Sequence, residues 1–468
     1  MTALKSEPEW LEDAAFEQCD MLGSTEATRE QWACFDSFLE SASVAGDSIL
    51  MVVIKAVFIL VFLLLSVLFA VWFERRVIAR FQERKGPNRH GPLGLVQPIA
   101  DAMKLMFKED ITVRAADRVL YIVAPMISVF CAFLVFAVIP FGPAVRIPWT
   151  DDLTPLQLTD FPSAMLYILA CAALGVYGIV LGGWASGSTY PLMGSVRSTA
   201  QVISYELGMG LSLVTVFMLA GSMSMAEIVD AQVGMWWVLP LLPAFVLYVI
   251  SMIGETNRLP FDLPEAEGEL VAGYFTEYSS IKFAWFFLAE YINMINVSAV
   301  AATLFLGGWR FPVDDLFGWD PNGGFWPMLW LVIKIWALMF VFVWIRGTLL
   351  RLRYDQFMRF GWKVLIPAGL IWVGIYGIGR VYIEATDGSE RNFAIAAPIV
   401  AIILAVAVAL WRADEGEEDE SSEEPTEPVE IDPFADGYPV PPRPGEVLPP
   451  SPRTGRTVDV SARKGDKR

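Results

Sequence analysis

The stretch Ser48–Phe73, SILMVVIKAVFILVFLLLSVLFAVWF, holds one cation, Lys55, and no acid. At 1.5 Å rise per residue, about 20 apolar residues cross the roughly 30 Å hydrocarbon layer of a bilayer. A segment this long and this apolar reads as a membrane-spanning helix. Similar runs recur along the 468-residue chain, which is 55% hydrophobic with a mean hydropathy of +0.49. About nine spans are expected, at residues 48–73, 115–139, 163–184, 201–221, 236–254, 281–306, 325–346, 362–380 and 393–411. In lipid every backbone polar group must be satisfied within the protein, so the expected fold is an all-α integral membrane protein.

The flanks of this body differ from it. Residues 1–46 form an acidic N-terminal extension, the transmembrane helical domain runs over 47–411, and 412–468 is a charged, Pro-rich tail. The net charge of −18 is concentrated partly in these ends, with ten acids between Asp414 and Glu430. Such a tail buries too little apolar surface to fold alone. The loops after the odd-numbered spans carry most of the Lys and Arg. The loops after the even-numbered ones carry Arg146, Arg310 and Arg391. The positive-inside rule then places the odd loops in the cytoplasm, the N-terminus outside and the C-terminus inside, in the cell inner membrane. Cys19 and Cys34 fall in the external segment, where an oxidising compartment permits a disulfide between them.

The first cytoplasmic loop, 74–114, contains a further helix candidate. Leu95, Ile99, Met103, Met106 and Phe107 recur at helical spacing, with Asp101, Lys104 and Lys108 largely opposite. This is the pattern of an amphipathic helix lying at the membrane surface.

Ionisable groups inside spans are costly and mark functional candidates. Glu206, Glu290, Lys334 and Lys55 lie within spans, and Glu74, Arg75 and Glu255 close two of them. Alternating topology puts Glu206 and Glu290 at related depths, roughly 8–14 Å below the cytoplasmic surface. Glu255 opens the stretch GETNRLPFDLPEAEGEL (254–270), which holds five carboxylates and one cation, Arg258. Three acids at related depth fit a proton path better than isolated structural ion pairs. Arg351 and Arg353, beside Tyr354 and Asp355, are expected to form a bonded network.

The chain has a single histidine, His90, and four cysteines without metal-ligand spacing. It therefore offers no metal site, and no haem or iron–sulfur cluster can be built from this chain alone. It has no phosphate-binding glycine loop, no nucleophile triad and no basic stretch suited to nucleic acid. Any electrons must arrive from another polypeptide.

Four long motifs carry a resemblance. ERRVIARFQERKGPNRHGPLGLVQPIADAMKLMFKED (74–110), RSTAQVISYELGMGLS (197–212), GETNRLPFDLPEAEGELVAGYFTEYSS (254–280) and WIRGTLLRLRYDQFMRFGWKVLIP (344–367) resemble the quinone-channel subunit of respiratory complex I. That family is the H-type subunit of NADH:quinone oxidoreductase, known as subunit 1 in mitochondria. The resemblance covers about 47–383 in order and leaves the extension, the ninth span and the tail outside.

The resemblance implies a membrane component of a proton-pumping translocase, part of an enzyme but with no redox centre of its own. Quinone, ubiquinone or menaquinone, would be its substrate. The iron–sulfur clusters and flavin would sit in partner subunits of the membrane and hydrophilic arms. A quinone tunnel would involve Arg75, Arg84, Lys85, Asp101, Lys104, Arg258, Arg346, Arg351 and Arg353. A proton path would involve Glu206, Glu255, Asp262, Glu265, Glu267, Glu269, Glu277 and Glu290. The nearest alternative is the equivalent subunit of a membrane-bound hydrogenase or related dehydrogenase. A stand-alone secondary transporter would show paired broken spans in two halves, which this sequence does not clearly do.

The cysteine reading is directly testable. Alkylation of the unreduced native protein should leave Cys19 and Cys34 unmodified, and modification of both would rule out the disulfide.

Overall fold

The computed structural model describes residues 47–146, 153–262, 271–312 and 321–386. The expected ninth span, the Cys19–Cys34 pairing, the N-terminal extension, the tail and the acids Glu265, Glu267 and Glu269 lie outside these residues. The described chain is helical apart from one short antiparallel hairpin, β1 (Ala144–Arg146) with β2 (Leu153–Pro155).

Among the described residues, seven helical segments are long and apolar enough to cross a membrane. They correspond to α1 (Ile49–Phe81), α3 (Arg118–Val135), α4 (Ala164–Ala185), α5 (Thr189–Ala220), α8 (Ser280–Phe305), α9 (Trp326–Thr348), and α10 (Tyr354–Phe360) running through a π-helical turn into α11 (Ile366–Thr386). The amphipathic α2 (Gln97–Phe107), the short α6 (Met225–Asp230) and α7 (Leu242–Glu255) complete the set. Eight of the expected spans thus have a helix, α7 being the shortest.

Three boundaries depart from the sequence reading, each for a local reason. α1 continues past Phe73 to Phe81, because no Gly or Pro interrupts the chain before Gly86. Glu74, Arg75 and Arg76 therefore stand on a helix rather than in a loop. α5 starts at Thr189 instead of 201, with Pro191 in its first turn, where its missing N–H costs nothing. α7 begins only at Leu242: Leu241 N donates to Trp237 O at 3.0 Å in the preceding turn, but Pro240 and Pro243 have no N–H with which to carry a continuous ladder through this stretch. Its 14 residues rise only about 21 Å.

The packing is centred on α8. Of its most apolar stretch 78% is buried, against 22% for α1. α8 touches α1, α2, α3, α7 and α9. α1 and α9 interlock through aromatic edges, with Phe69 and Trp336 ring centroids 4.5 Å apart. α3 and α4 come close because Gly178 has no side chain. A Cβ there would lie 2.1 Å from Ser128 Oγ. Small residues allow this kind of close helix approach in membranes.

Two of the intramembrane cations have structural partners. Lys55 pairs with Asp47, whose other oxygen accepts from Thr154 Oγ1 at 2.5 Å, tying the start of α1 to the hairpin. Lys334 donates to the carbonyls of Leu306 (2.6 Å), Gly308 (2.8 Å) and Arg310 (2.5 Å). It also lies 4.5 Å from the Trp236 ring centroid. These carbonyls follow the C-terminus of α8, the negative end of the helix dipole, where a cation is favoured. Next to this end, Gln232 donates to Thr303 O and accepts from Gly307 N. In the loop before α4, burial pushes the Asp160 carboxyl above its usual range, opposed by the hydrogen bond it receives from Ser224.

Lys334→Met should cost about 2–3 kcal/mol, the scale of losing hydrogen bonds to a charged group. The measurement is the midpoint of heat-induced loss of the assembled protein in native gels. An unchanged midpoint would show that the three carbonyls do not depend on Lys334.

Candidate functional site

The site is organised around Glu74, a buried carboxylate on α1. Its two oxygens accept from Arg346, in the last turn of α9, and from the Tyr291 hydroxyl of α8. Arg258, in the turn after α7, reaches it as well, with Nη1 at 3.7 Å from Glu74 Oε1. The Nε of Arg258 pairs with Glu290 Oε1 at 2.7 Å, and its guanidinium lies 4.4 Å from the Tyr291 ring centroid. Four chain segments thus meet in a buried group of two carboxylates and two guanidiniums. The delocalised, planar guanidinium suits such a site better than an ammonium would. Glu74 stands out in the sequence as an acid closing a span, but neither it nor Tyr291 is among the residues expected in the tunnel or the proton path. The signal for Glu74 is the unbroken helical sequence past Phe73, which carries it inward rather than into a loop.

The turn that presents Arg258 is held on three sides. Gln201, fully buried on α5, donates through Nε2 to Gly254 O and Phe261 O, both at 2.7 Å. Arg351 donates to Asp262 O, and Leu352 N to Pro260 O at 3.2 Å. Asn257 sits in the left-handed region (φ 51°), which Asn tolerates better than most residues. Behind the turn, the Tyr205 ring stacks on Phe357 at 4.3 Å. It leaves no room at Gly254, where a Cβ would fall 2.5 Å from the ring. Tyr205 in turn fixes the backbone that carries Glu206.

Beyond Arg258 lie two internal cavities. One, of about 50 Å³, is lined by Glu255, Asn257, Glu290, Asn293 and Tyr274, among others. The second, of about 30 Å³, is lined by Glu255, Asn293, Asn296 and Tyr248 with aliphatic side chains. Glu255, Asn293 and Ala172 border both. Glu255 Oε2 has no hydrogen-bond partner among the described residues. A water needs roughly 10–15 Å³ of such space and two to four polar partners, so both cavities can hold water. Glu206 borders neither. Glu255 and Glu290 are therefore joined by a common cavity.

The remaining predicted residues fall into two groups. Arg75 pairs with Asp101 of α2, bringing the amphipathic helix to the end of α1. Ser280 Oγ donates to Leu105 O and Lys108 O, and Lys282 pairs with Asp110 at 2.9 Å, tying α2 to α8. The apolar face of α2 stays open: Ile99, Met103, Met106 and Phe107 are all exposed.

The other group stays outside the cluster. Arg84 donates only locally to Gln82, and Lys85 and Lys104 are exposed. The expected Arg351–Arg353–Asp355 network is divided. Arg351 turns to the backbone of Asp262, while Arg353 and Asp355 make an exposed pair at 3.5 Å. Asp262 contributes its carbonyl to that bond. Glu277 is tied down through its backbone, accepting from Tyr121 at 2.6 Å. Among the described residues no group of His, Cys, Asp or Glu could hold a metal ion.

Comparison with known proteins gives one consistent result. The NADH dehydrogenase family profile matches residues 54–377. The chain is 51% identical over 406 residues to the H-type subunit of NADH-quinone oxidoreductase from Streptomyces avermitilis, covering 86% of this chain and 89% of the relative. It is 57% identical over 365 residues to the protein of the same name from Frankia casuarinae, covering 78% and 80%, and 56% identical over 363 residues to that of Frankia alni, covering 77% and 80%.

Arg346→Ala should destabilise the protein by about 2–3 kcal/mol, because it removes a charged partner from a buried carboxylate. Adding Glu74→Gln should recover most of that loss, since the residue left behind is neutral. Equal destabilisation in the single and double variants, read from thermal midpoints, would mean that Glu74 and Arg346 are not coupled.

Proposed function

Because the chain belongs to the NADH dehydrogenase family, as the H-type membrane subunit of NADH-quinone oxidoreductase, we propose that it forms the quinone entry of that complex and links quinone reduction to proton movement. It is a multi-pass membrane protein and one component of an oxidoreductase; the flavin and iron–sulfur clusters of this reading belong to its partners. In this reading the loops after α1, α4, α7 and α9 face the cytoplasm and the hydrophilic arm.

The observation that carries the proposal is the position of Arg258. It bridges the Glu74–Arg346 cluster, next to α2, and Glu290, which borders the larger water-sized cavity. Quinone, a neutral apolar ligand, enters from the bilayer past the exposed Ile99, Met103, Met106 and Phe107 face of α2. Arg75, Arg258 and Arg346 provide positive charge near the head group. Arg84, Lys85, Asp101, Lys104, Arg351 and Arg353 line the approach or fix its walls.

Reduction of quinone to quinol takes up two electrons and two protons. Negative charge developing on the head group is stabilised by the guanidiniums. Any shift of Arg258 toward that charge loosens its hold on Glu290, changing the proton affinity of Glu290 through the field it feels. The change passes through the shared cavity to Glu255 and by charge to Glu206. Asp262, Glu265, Glu267, Glu269 and Glu277 supply acids at the mouth of this route. The names of the relatives favour this machine over a hydrogenase-type complex.

Glu206→Gln and Glu290→Gln should each lower NADH-driven proton uptake into inverted membrane vesicles by about tenfold or more, the scale of removing a proton-transfer group. Assembled complex and NADH oxidation by an artificial acceptor should be retained. Normal uptake in both variants would refute the relay.

A further inference from the structure

Glu255 borders two cavities of opposite character. The cavity it shares with Glu290 also presents Ser128, Thr256, Asn257, Asn293 and Tyr274. In the cavity it shares with Asn296, most of the lining is Val, Leu, Ile and Met, with only Asn293, Asn296 and Tyr248 adding polar side chains. An ionised carboxylate is favoured in the first and a neutral carboxyl is tolerated in the second, because burying charge costs far more than burying a hydrogen-bonded neutral group.

Asn296 makes the second cavity selective. It is 4% exposed, and its amide nitrogen donates to Ala132 O at 2.8 Å and to Asn293 Oδ1 at 3.4 Å. A carbonyl accepts only from a donor, so the bond to Ala132 fixes which end of the amide points where. Its Oδ1 is left without a donor among the described residues. The Tyr248 hydroxyl cannot serve, since it is engaged with Val297 O at 3.1 Å. Glu255 Oε2 is likewise without a partner there. At Asn296 the second cavity therefore presents a fixed acceptor, and the Tyr248 hydroxyl beside it has no proton to spare. That acceptor can receive a carboxyl that carries its proton, or a water, and a carboxylate oxygen placed against it would be repelled.

We propose that Glu255 is a two-position carboxyl: ionised, it faces Glu290 and the polar cavity; protonated, it turns into the apolar cavity and donates to Asn296 Oδ1, directly or through one water. This rests on the proton-relay reading given above and adds to it a positioning residue and a direction. When a proton passes from Glu290 to Glu255, one O–H bond breaks and one forms, and the negative charge returns to Glu290 beside Arg258. The neutral Glu255 then leaves the polar cavity, which separates the proton from the acid that supplied it. The ionisable groups around Glu255 are Glu290 from α8, Glu206 from α5, Tyr274 from the loop before α8 and Tyr248 from its own helix, with Arg258 behind Glu290.

The test uses inverted membrane vesicles containing the whole complex, with NADH and a short-chain quinone, and reads proton uptake against pH. Asn296→Leu keeps the volume but removes the acceptor. It should move the alkaline limb of the profile about one unit to lower pH, a tenfold loss of proton affinity. Asn296→Ser, whose hydroxyl and added water restore an acceptor, should bring the limb back to that of the unaltered chain. Glu255→Gln should abolish uptake. An unshifted limb in Asn296→Leu, whether activity is normal or merely reduced with the amount of complex, would overturn the two-position proposal. Normal uptake in Glu255→Gln would instead overturn the relay on which it rests.

Discussion

Neutralising the Glu74 carboxylate is the constraint from which the rest of this site follows. A lone charge in a membrane interior is unstable, so Glu74 must have partners. Those partners come from α8, α9 and the turn after α7, which forces these segments to converge on the end of α1. The pairing of Arg258 with Glu290 extends the same requirement one step deeper. With two acids and two guanidiniums the group is balanced as it stands. Any new charge nearby must redistribute the bonds within it. That makes the cluster sensitive to events at α2 without any need for a flexible scaffold.

The scaffold around it is in fact tightly held. Gln201 ties both ends of the 254–261 turn, and Tyr205 fills the space at Gly254. The backbone that carries Glu255 and Arg258 is thereby fixed relative to the backbone that carries Glu206. Motion is left to side chains, and the open volume lies where the carboxylates are. Rigid walls around open volume bordered by carboxylates suit the proton path proposed above.

Much of this is legible in the sequence. Long apolar runs specify spans because lipid permits few alternatives. The i, i+3, i+4 spacing of Ile99, Met103, Met106 and Phe107 specifies α2 and its open face. Glu206, Glu255 and Glu290 stand out because acids in apolar segments are rare. The losses have physical causes. Composition alone does not tell that Glu74 lies on a helix continuing inward, or that Pro240 and Pro243 shorten α7. Lys334 reads as functional by its depth, but its role is set by three carbonyls some 24–28 residues away in sequence, which no local pattern encodes. The acidic loop of 254–270 is legible as a run of carboxylates, but that the Asp262 carbonyl accepts from Arg351, some 89 residues on, is encoded in no local pattern.

The shortness of α7 has an electrical consequence. Its 14 residues cover about 21 Å of a hydrocarbon layer roughly 30 Å thick. The rest of the crossing is completed by the apolar turns of 236–241 and by the turn that carries Arg258. A charge held a third of the way into that layer lies across about a third of the membrane voltage, worth about 0.8 kcal/mol per 100 mV. A carboxylate held at that depth therefore binds its proton with an affinity that depends on the voltage across the membrane.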